Sequence, residues 1–200
     1  MSARWVPVLC LAVASLAGCV HAPGLDVRYP DGAANRALLA SVATRRVQIQ
    51  PVADARVDAS RIGVVKDGAP FVTARPVGDV VRDALTTELA ANGHAVVGDR
   101  ADVVLATVVE EFWLDVVRGR STTQYVGKVA MVVTVLDGRT GDGLVSRRYI
   151  GTKREQVERA SDDAARETMN AALSRSMHDL AMDWTLVAAF ARATAAAASR

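Results

Sequence analysis

The sequence predicts an α+β domain: an antiparallel β-sheet with a meander core and two main helices packed on one of its faces. Three observations predict it. Ala101 to Val117 and Thr122 to Leu136 are long, rich in valine and parted at Gly119-Arg120-Ser121, which reads as a hairpin. Asp137-Gly138-Arg139-Thr140-Gly141-Asp142-Gly143 makes a second turn region, followed by a strand from Leu144 to about Lys153. Two apolar stripes at helical spacing, one from Val77 and one from Met169, supply the helices.

The chain opens with Arg4 and an apolar run from Trp5 to Leu16, closed by Leu16-Ala17-Gly18-Cys19. A charged start, an apolar middle and small residues before a cut are the order of a secretory signal. The run is shorter than the roughly 20 apolar residues of a membrane-spanning helix. The cysteine sets it apart from an ordinary secretory signal. The box resembles the bacterial lipoprotein signal, which ends in a lipid-modified Cys. That resemblance implies cleavage between Gly18 and Cys19, a diacylglycerol thioether on Cys19 and an acylated amino terminus. One acyl chain holds a protein only marginally, whereas two or three make a stable anchor. Enterobacterial lipoproteins keep Asp after the lipidated Cys when they stay at the inner membrane, so Val20 implies the outer membrane.

Residues 1–18 are therefore read as signal peptide, 19–32 as lipidated start and tether, 33–187 as one periplasmic domain and 188–200 as an alanine-rich tail. Pro23, Gly24, Pro30 and Gly32 give the tether its character, and extended it reaches about 40 Å at most. Leu25 to Tyr29 is alternatively an edge strand. Ala33 to Ala43 has helical composition with a weak cap. Val47 to Val52 alternates with period two and reads as a half-buried strand. Asp54-Ala55-Arg56 begins a loop, Arg61 to Val65 is a second strand, Asp67-Gly68 a turn and Phe71 to Thr73 a short strand. Pro76 suits the first position of a helix whose apolar face is Val77, Val81, Ala84, Leu85 and Leu89. Asn92-Gly93 stops it, and Ala95 to Gly98 is extended. Ser161 is the N-cap of the last helix, with Asp162 and Asp163 at its positive end. Its stripe is Met169, Leu173, Met177, Leu180, Trp184 and Val187.

Without the signal, 23 basic residues face 22 acidic ones, because Arg4 is the only charged residue before Cys19. This balance gives no footprint for nucleic acid and no polybasic membrane patch. Cys10 leaves with the signal and Cys19 carries lipid, so the exported domain has no thiol for a disulfide, a metal or redox chemistry.

No constellation of residues points to catalysis, and no cofactor is expected. His21, His94 and His178 do not cluster, and none has zinc-ligand spacing. His21 belongs to the tether, His94 follows a helix end where a partly charged imidazole suits the dipole, and His178 sits beside an apolar stripe. Glu110 and Glu111 are neighbours on a strand, where side chains point to opposite faces, so they are not expected to share a substrate. One feature reads as a partner contact. With the hairpin centred on Arg120, Trp113 lies opposite Gly127, on one face with Glu111, Asp115 and Tyr125. Trp113 and Tyr125 would then grip a partner, or Trp113 would merely cover the bare backbone of Gly127.

Taken together these features resemble the YajG family of bacterial lipoproteins. They are the Leu16-Ala17-Gly18-Cys19 box, Val47-Gln48-Ile49 with Asp54-Ala55-Arg56, and Arg61-Ile62-Gly63. Val80-Val81-Arg82-Asp83-Ala84-Leu85 ending at Asn92-Gly93, Tyr125-Val126-Gly127-Lys128, and the helix opened by Ser161-Asp162-Asp163 complete the set. The resemblance implies an outer-membrane lipoprotein of undefined role, with no catalytic residues to carry over.

The expected function is a lipid-anchored, non-catalytic binding or assembly module facing the periplasm, its membrane contact made through Cys19. Its partner is an envelope protein or another copy of itself. A cell-wall hydrolase or transferase is the competing reading and requires a cleft of polar groups with shifted pKa values. Val129-Ala130-Met131-Val132-Val133 is apolar on both faces while one helix layer covers only one. An exposed apolar patch on the second face would favour a self-associating structural protein.

Overall fold

The computed structural model describes residues 24–30, 32–34, 36–64 and 69–193. Its elements are β1 (Arg46–Ile49), β2 (Ala53–Asp54), β3 (Gly63–Val64), β4 (Pro70–Phe71), α1 (Val77–Ala91), β5 (Ala95–Val96), β6 (Val103–Arg118), β7 (Thr123–Asp137), β8 (Gly143–Val157), α2 (Asp162–Ala181) and α3 (Trp184–Arg192). The predicted α+β class is the observed one. β6, β7 and β8 form the antiparallel meander, paired along almost their whole lengths. The sheet is nonetheless mixed. The other edge of β6 is taken in turn by β1, β2 and β3, all parallel to it. β5 lies parallel beside β1, and β4 antiparallel beside β3. A parallel neighbour needs a long crossover, and α1 carries the chain from β4 back to β5.

The helices pack on one face. α1 buries Val77, Val81, Ala84, Leu85 and Leu89, as its stripe predicts, and Val80 beside them. Pro76 is the N-cap, one position earlier than expected. α2 is capped by Ser161, whose hydroxyl accepts from Ala164 N at 3.1 Å. It lies very close to β7 and β8 because two positions beneath it have no side chain. A Cβ on Gly127 would sit 2.9 Å from Thr168 O, and one on Gly151 would run into Ala172 O and lie 2.7 Å from Ser176 N. Met169, Leu173, Met177 and Leu180 fill the same single core as Phe112, Leu114, Met131 and α1.

Four expectations change. The predicted 33–43 helix is only a 3-10 turn at Leu38–Ser41, with no side-chain cap. A short helix cannot hold itself, and here Asn92 Oδ1 takes the Ala37 N–H at 2.8 Å instead. The last helix is two helices. Asp183 leaves the helical path, caps α3 through Thr185 N at 2.8 Å and accepts from the Tyr149 hydroxyl at 2.9 Å. Trp184 is thereby turned out of the predicted stripe and is 71% exposed. α3 runs past the predicted domain end at 187, with Ala189 and Phe190 buried. The second half of the predicted tether is packed rather than free, since Leu25, Val27 and Tyr29 are all buried. Gly18, Cys19, His21 and the Asp67-Gly68 turn lie outside the described residues.

Candidate functional site

The face of the sheet opposite the helices is the surface left to account for. Among the described residues no helix covers it. Val104, Ala106 and Val108 of β6 and Val126, Val132 and Leu136 of β7 are half-buried there, outside the core. Ile150 of β8 is 48% exposed beside them. A strand apolar on both faces, as Val129 to Val133 is, normally belongs to a sheet covered on both sides.

A β-bulge organises this face. Val109 pairs with Met131 but Glu111 with Ala130, so Glu110 is the extra residue. A bulge shifts the alternation by one residue, so each later side chain of β6 changes face. Beyond it Phe112 and Leu114 face the core, while Trp113 and Asp115 face out. Glu110 and Glu111 therefore border one groove, contrary to the opposite-face expectation. The hairpin register also differs from the one assumed. Gly119 N bonds Thr122 O at 2.7 Å, so the turn centres between Arg120 and Ser121. Trp113 consequently pairs with Lys128, and Gly127 with Leu114. Trp113 does not cover Gly127, which faces α2. Tyr125 is on the helix face and 2% exposed, with its hydroxyl accepting from Ser161 N at 3.1 Å and donating to Ser161 O at 3.2 Å. The two aromatics expected to act together lie on opposite faces, and Tyr125 positions the start of α2.

The groove is open, about 550 Å³ in volume, and lined by Arg56, Val57, Asp58, Glu110, Glu111, Phe112, Trp113, Asp115, Lys128 and Arg148. Its charges are largely paired. Arg148 Nε reaches across β7 to Glu110 at 2.6 Å, and Lys128 Nζ meets Asp115 at 2.8 Å. Trp113 Nε1 donates to Asp115 Oδ1 at 2.8 Å, which fixes the indole against the sheet. The rim is a loop held by Arg56. Its guanidinium bonds Asp54 at 2.7 and 2.8 Å and the carbonyls of Arg61 and Ala59 at 2.9 and 3.1 Å. The Arg56 hydrogen bond holds the Asp54 carboxyl below the usual range. Val57, next to this clamp, is a fully exposed apolar side chain. The sequence shows Asp54-Ala55-Arg56 but not its job, because an Asp–Arg clamp two residues apart has no periodic signal.

The groups bordering the groove whose pKa moves both move toward keeping their charge. Hydrogen bonds from Ser60 lower Asp58, and the hydrogen bond to Asp115 raises Lys128. A general acid or base is tuned the other way, toward pH 7. Among the described residues no group of three or more His, Cys, Asp or Glu could hold a metal ion.

A cluster of buried polar groups lies elsewhere, under the N-terminal segment. Tyr29 donates to Glu88 Oε2 at 2.5 Å, and Asn92 Nδ2 to Glu88 Oε1 at 3.0 Å. Burial raises the Glu88 carboxyl against these hydrogen bonds, and burial together with Glu88 raises the Tyr29 phenol. His94 accepts from Arg45 N at 3.1 Å and approaches Leu39 O at 3.3 Å. Burial lowers its pKa, so it is neutral and structural, not the partly charged group expected at a helix end. His178 is exposed on α2.

Comparison with known proteins adds the following. A family model described as "Uncharacterized lipoprotein", Lipoprotein_16, matches residues 37–190. A crystal structure of a Xanthomonas campestris protein of family DUF330 has the same fold, with a TM-score of 0.56 at 21% identity over 82% of this chain and 93% of that one. A lipoprotein from Neisseria meningitidis gives a TM-score of 0.35 at 15% identity over 60% of this chain and 89% of its own. A PelC dodecamer from Paraburkholderia phytofirmans gives 0.39 at 16% identity over 66% and 88%. No curated protein matches the chain. Among the described residues no helix is long and apolar enough to cross a membrane.

Proposed function

This chain belongs to the Lipoprotein_16 family of uncharacterized lipoproteins, and on that premise we propose a lipid-anchored docking module of the bacterial outer membrane. Cys19 carries the lipid, and the domain faces the periplasm. The uncovered face of the sheet receives an envelope protein without catalysing a reaction. The observation that supports this most is the contrast between the faces: the helices bury one side, while valines and Ile150 stay in reach of a partner on the other. Such patches mark interaction surfaces. Trp113, held by Asp115 at the edge of this face, is the aromatic anchor the reading assigns to the contact. Tyr125 is not part of it.

The test joins anchor and surface. Photocrosslinkers placed at Val132 and Trp113 in cells should capture a protein, and placed at exposed Trp184 they should not. Cys19→Ser should remove a lipid-sized mass, release the chain from the outer-membrane fraction and lower the captured yield. Equal capture at all three positions would refute a docking face. Self-association through the same face is the second reading, supported by the apolar strip itself; the captured band would then be a second copy of this chain. A cell-wall enzyme would instead require turnover that falls when Glu110, Glu111 or Asp115 is neutralised.

A further inference from the structure

The chain joins its domain much sooner after Cys19 than its composition suggests. Leu25 N donates to Val72 O at 2.8 Å, and Leu25 O accepts from Ala74 N at 3.0 Å. Leu25 and Val27 are 5% and 1% exposed. Gly24 lies against the neighbouring backbone so closely that a Cβ there would be 2.6 Å from Ala74 N. Tyr29 fastens the segment again four residues later, at Glu88. From Cys19 to this fastening at Leu25 the chain has only six residues, which span about 20 Å even when fully extended.

Resting on the Cys19 anchor proposed above, we infer that the corner of the domain formed by Leu25, Thr73 and Arg75 is held against the lipid surface. Thr73 is the bridge partner of Leu25, and Arg75 follows Ala74, with its side chain 45% exposed in an ion pair to Asp83 at 2.7 Å. This corner adjoins β4 and β3, and Gly63 of β3 pairs with Leu114 near one end of β6. The Gly138–Asp142 turn is at the other end of β6, beyond Val103, which pairs with Asp137. At about 3.3 Å a residue, Val103 and Leu114 are roughly 36 Å apart along the strand. The frame is longer than its leash. A partner of this domain has to come to the membrane surface, because the domain cannot travel out to meet it.

The corner is tested with the lipidated full-length mature protein in phosphatidylethanolamine–phosphatidylglycerol vesicles that contain a headgroup-quencher lipid. Arg75→Cys and Arg139→Cys each introduce the one labelling thiol of the mature chain, Cys19 being blocked by lipid. The expected result is several-fold stronger quenching of a fluorophore at position 75 than at 139. Ten Gly/Ser residues inserted before Gly24 lengthen the leash by about 33 Å and should erase that difference. Equal quenching at both positions with the native leash, in protein whose intact mass includes the lipid, would overturn the corner assignment and leave the anchor standing. A mature chain without the lipid mass would overturn the anchor, and the corner with it.

Discussion

The two faces of this sheet are drawn from the same three strands, alternate residue by alternate residue, yet they are built differently. Toward the helices stand Phe112, Leu114, Val129, Met131 and Val133, all fully buried, with glycines where α2 comes closest. Away from the helices stand Val104, Val108, Val132 and Ile150, which retain exposure, crossed by the Arg148–Glu110 ion pair. Arg148 stands opposite Val132 in the register, and Ala130, opposite Glu111 and Ile150, is fully buried although it is outside the helix-side core. The difference teaches where stability resides: the covered face holds the domain together, and the open face is free to serve something else. Substitutions on the two faces should therefore separate cleanly.

The largest effect is expected at Gly151. An added methyl meets α2 main chain at Ala172 and Ser176, and helix backbone cannot step aside as a flexible side chain does. Gly151→Ala should cost about 3 kcal/mol or more, at the upper end of overpacking penalties. Urea denaturation measures it, and a loss below 1 kcal/mol would mean α2 is not seated as closely as described.

Next is Glu88, the polar centre under the N-terminal segment. Glu88→Ala strands the Tyr29 hydroxyl and one Asn92 donor in the interior and should cost about 2–3 kcal/mol. Its charge has a separate signature. Burial raises the folded pKa of Glu88, so its contribution is intact below the ordinary carboxyl value of 4.5 and is lost as pH rises through the folded value. His94 acts oppositely: its folded pKa is lowered, so its contribution is present above 6.5 and is lost as pH falls through the folded value. Glu88→Gln should therefore be more favourable relative to wild type at pH 7 than at pH 4. A pH-independent difference between the two proteins would show that the buried carboxylate carries no such penalty.

The covered face was largely legible in the sequence, and the open face largely was not. Spacing of Val77, Val81, Leu85 and Leu89, or of Met169, Leu173 and Met177, reports burial directly because a helix face repeats. The meander was legible from the Val-rich stretches and their turns for a similar reason. Register was not. A two-residue turn at Arg120-Ser121 and one extra residue at Glu110 moved Trp113 and Tyr125 to opposite faces, since a slip of one residue reverses a strand. Nothing local in Glu110-Glu111 announces a bulge. The break at Asp183 was equally hidden, because the Tyr149 hydroxyl that holds it comes from a strand 34 residues away. The mixed sheet was missed because the stretches at β3 and β5 read as extended, but nothing in two residues shows which strand they lie beside or in which direction.

A smaller effect, of opposite sign, is expected at Thr107. It lies on the covered face, 2% exposed, and its hydroxyl has no hydrogen-bond partner among the described residues. Replacing an unsatisfied buried hydroxyl with a methyl of similar shape removes a desolvation penalty. Thr107→Val should raise stability by about 1 kcal/mol in the same denaturation experiment. A loss instead would show that the hydroxyl is satisfied.

The smallest stability change is expected on the open face, where it is also the most informative. Val132→Thr alters a half-exposed position outside the core, so it should move stability by no more than about 0.5 kcal/mol. Trp113→Ala removes an indole whose one described hydrogen bond is to Asp115, and it should stay within about 1 kcal/mol. If that face docks a partner, both variants should nevertheless lose crosslinked yield in cells at unchanged protein level. Gly151→Ala lowers yield only by lowering the amount of folded protein. Yield per folded molecule is thus the deciding quantity. It should fall for Trp113→Ala and Val132→Thr and hold for Gly151→Ala. The reverse order would place the docking surface on the helices.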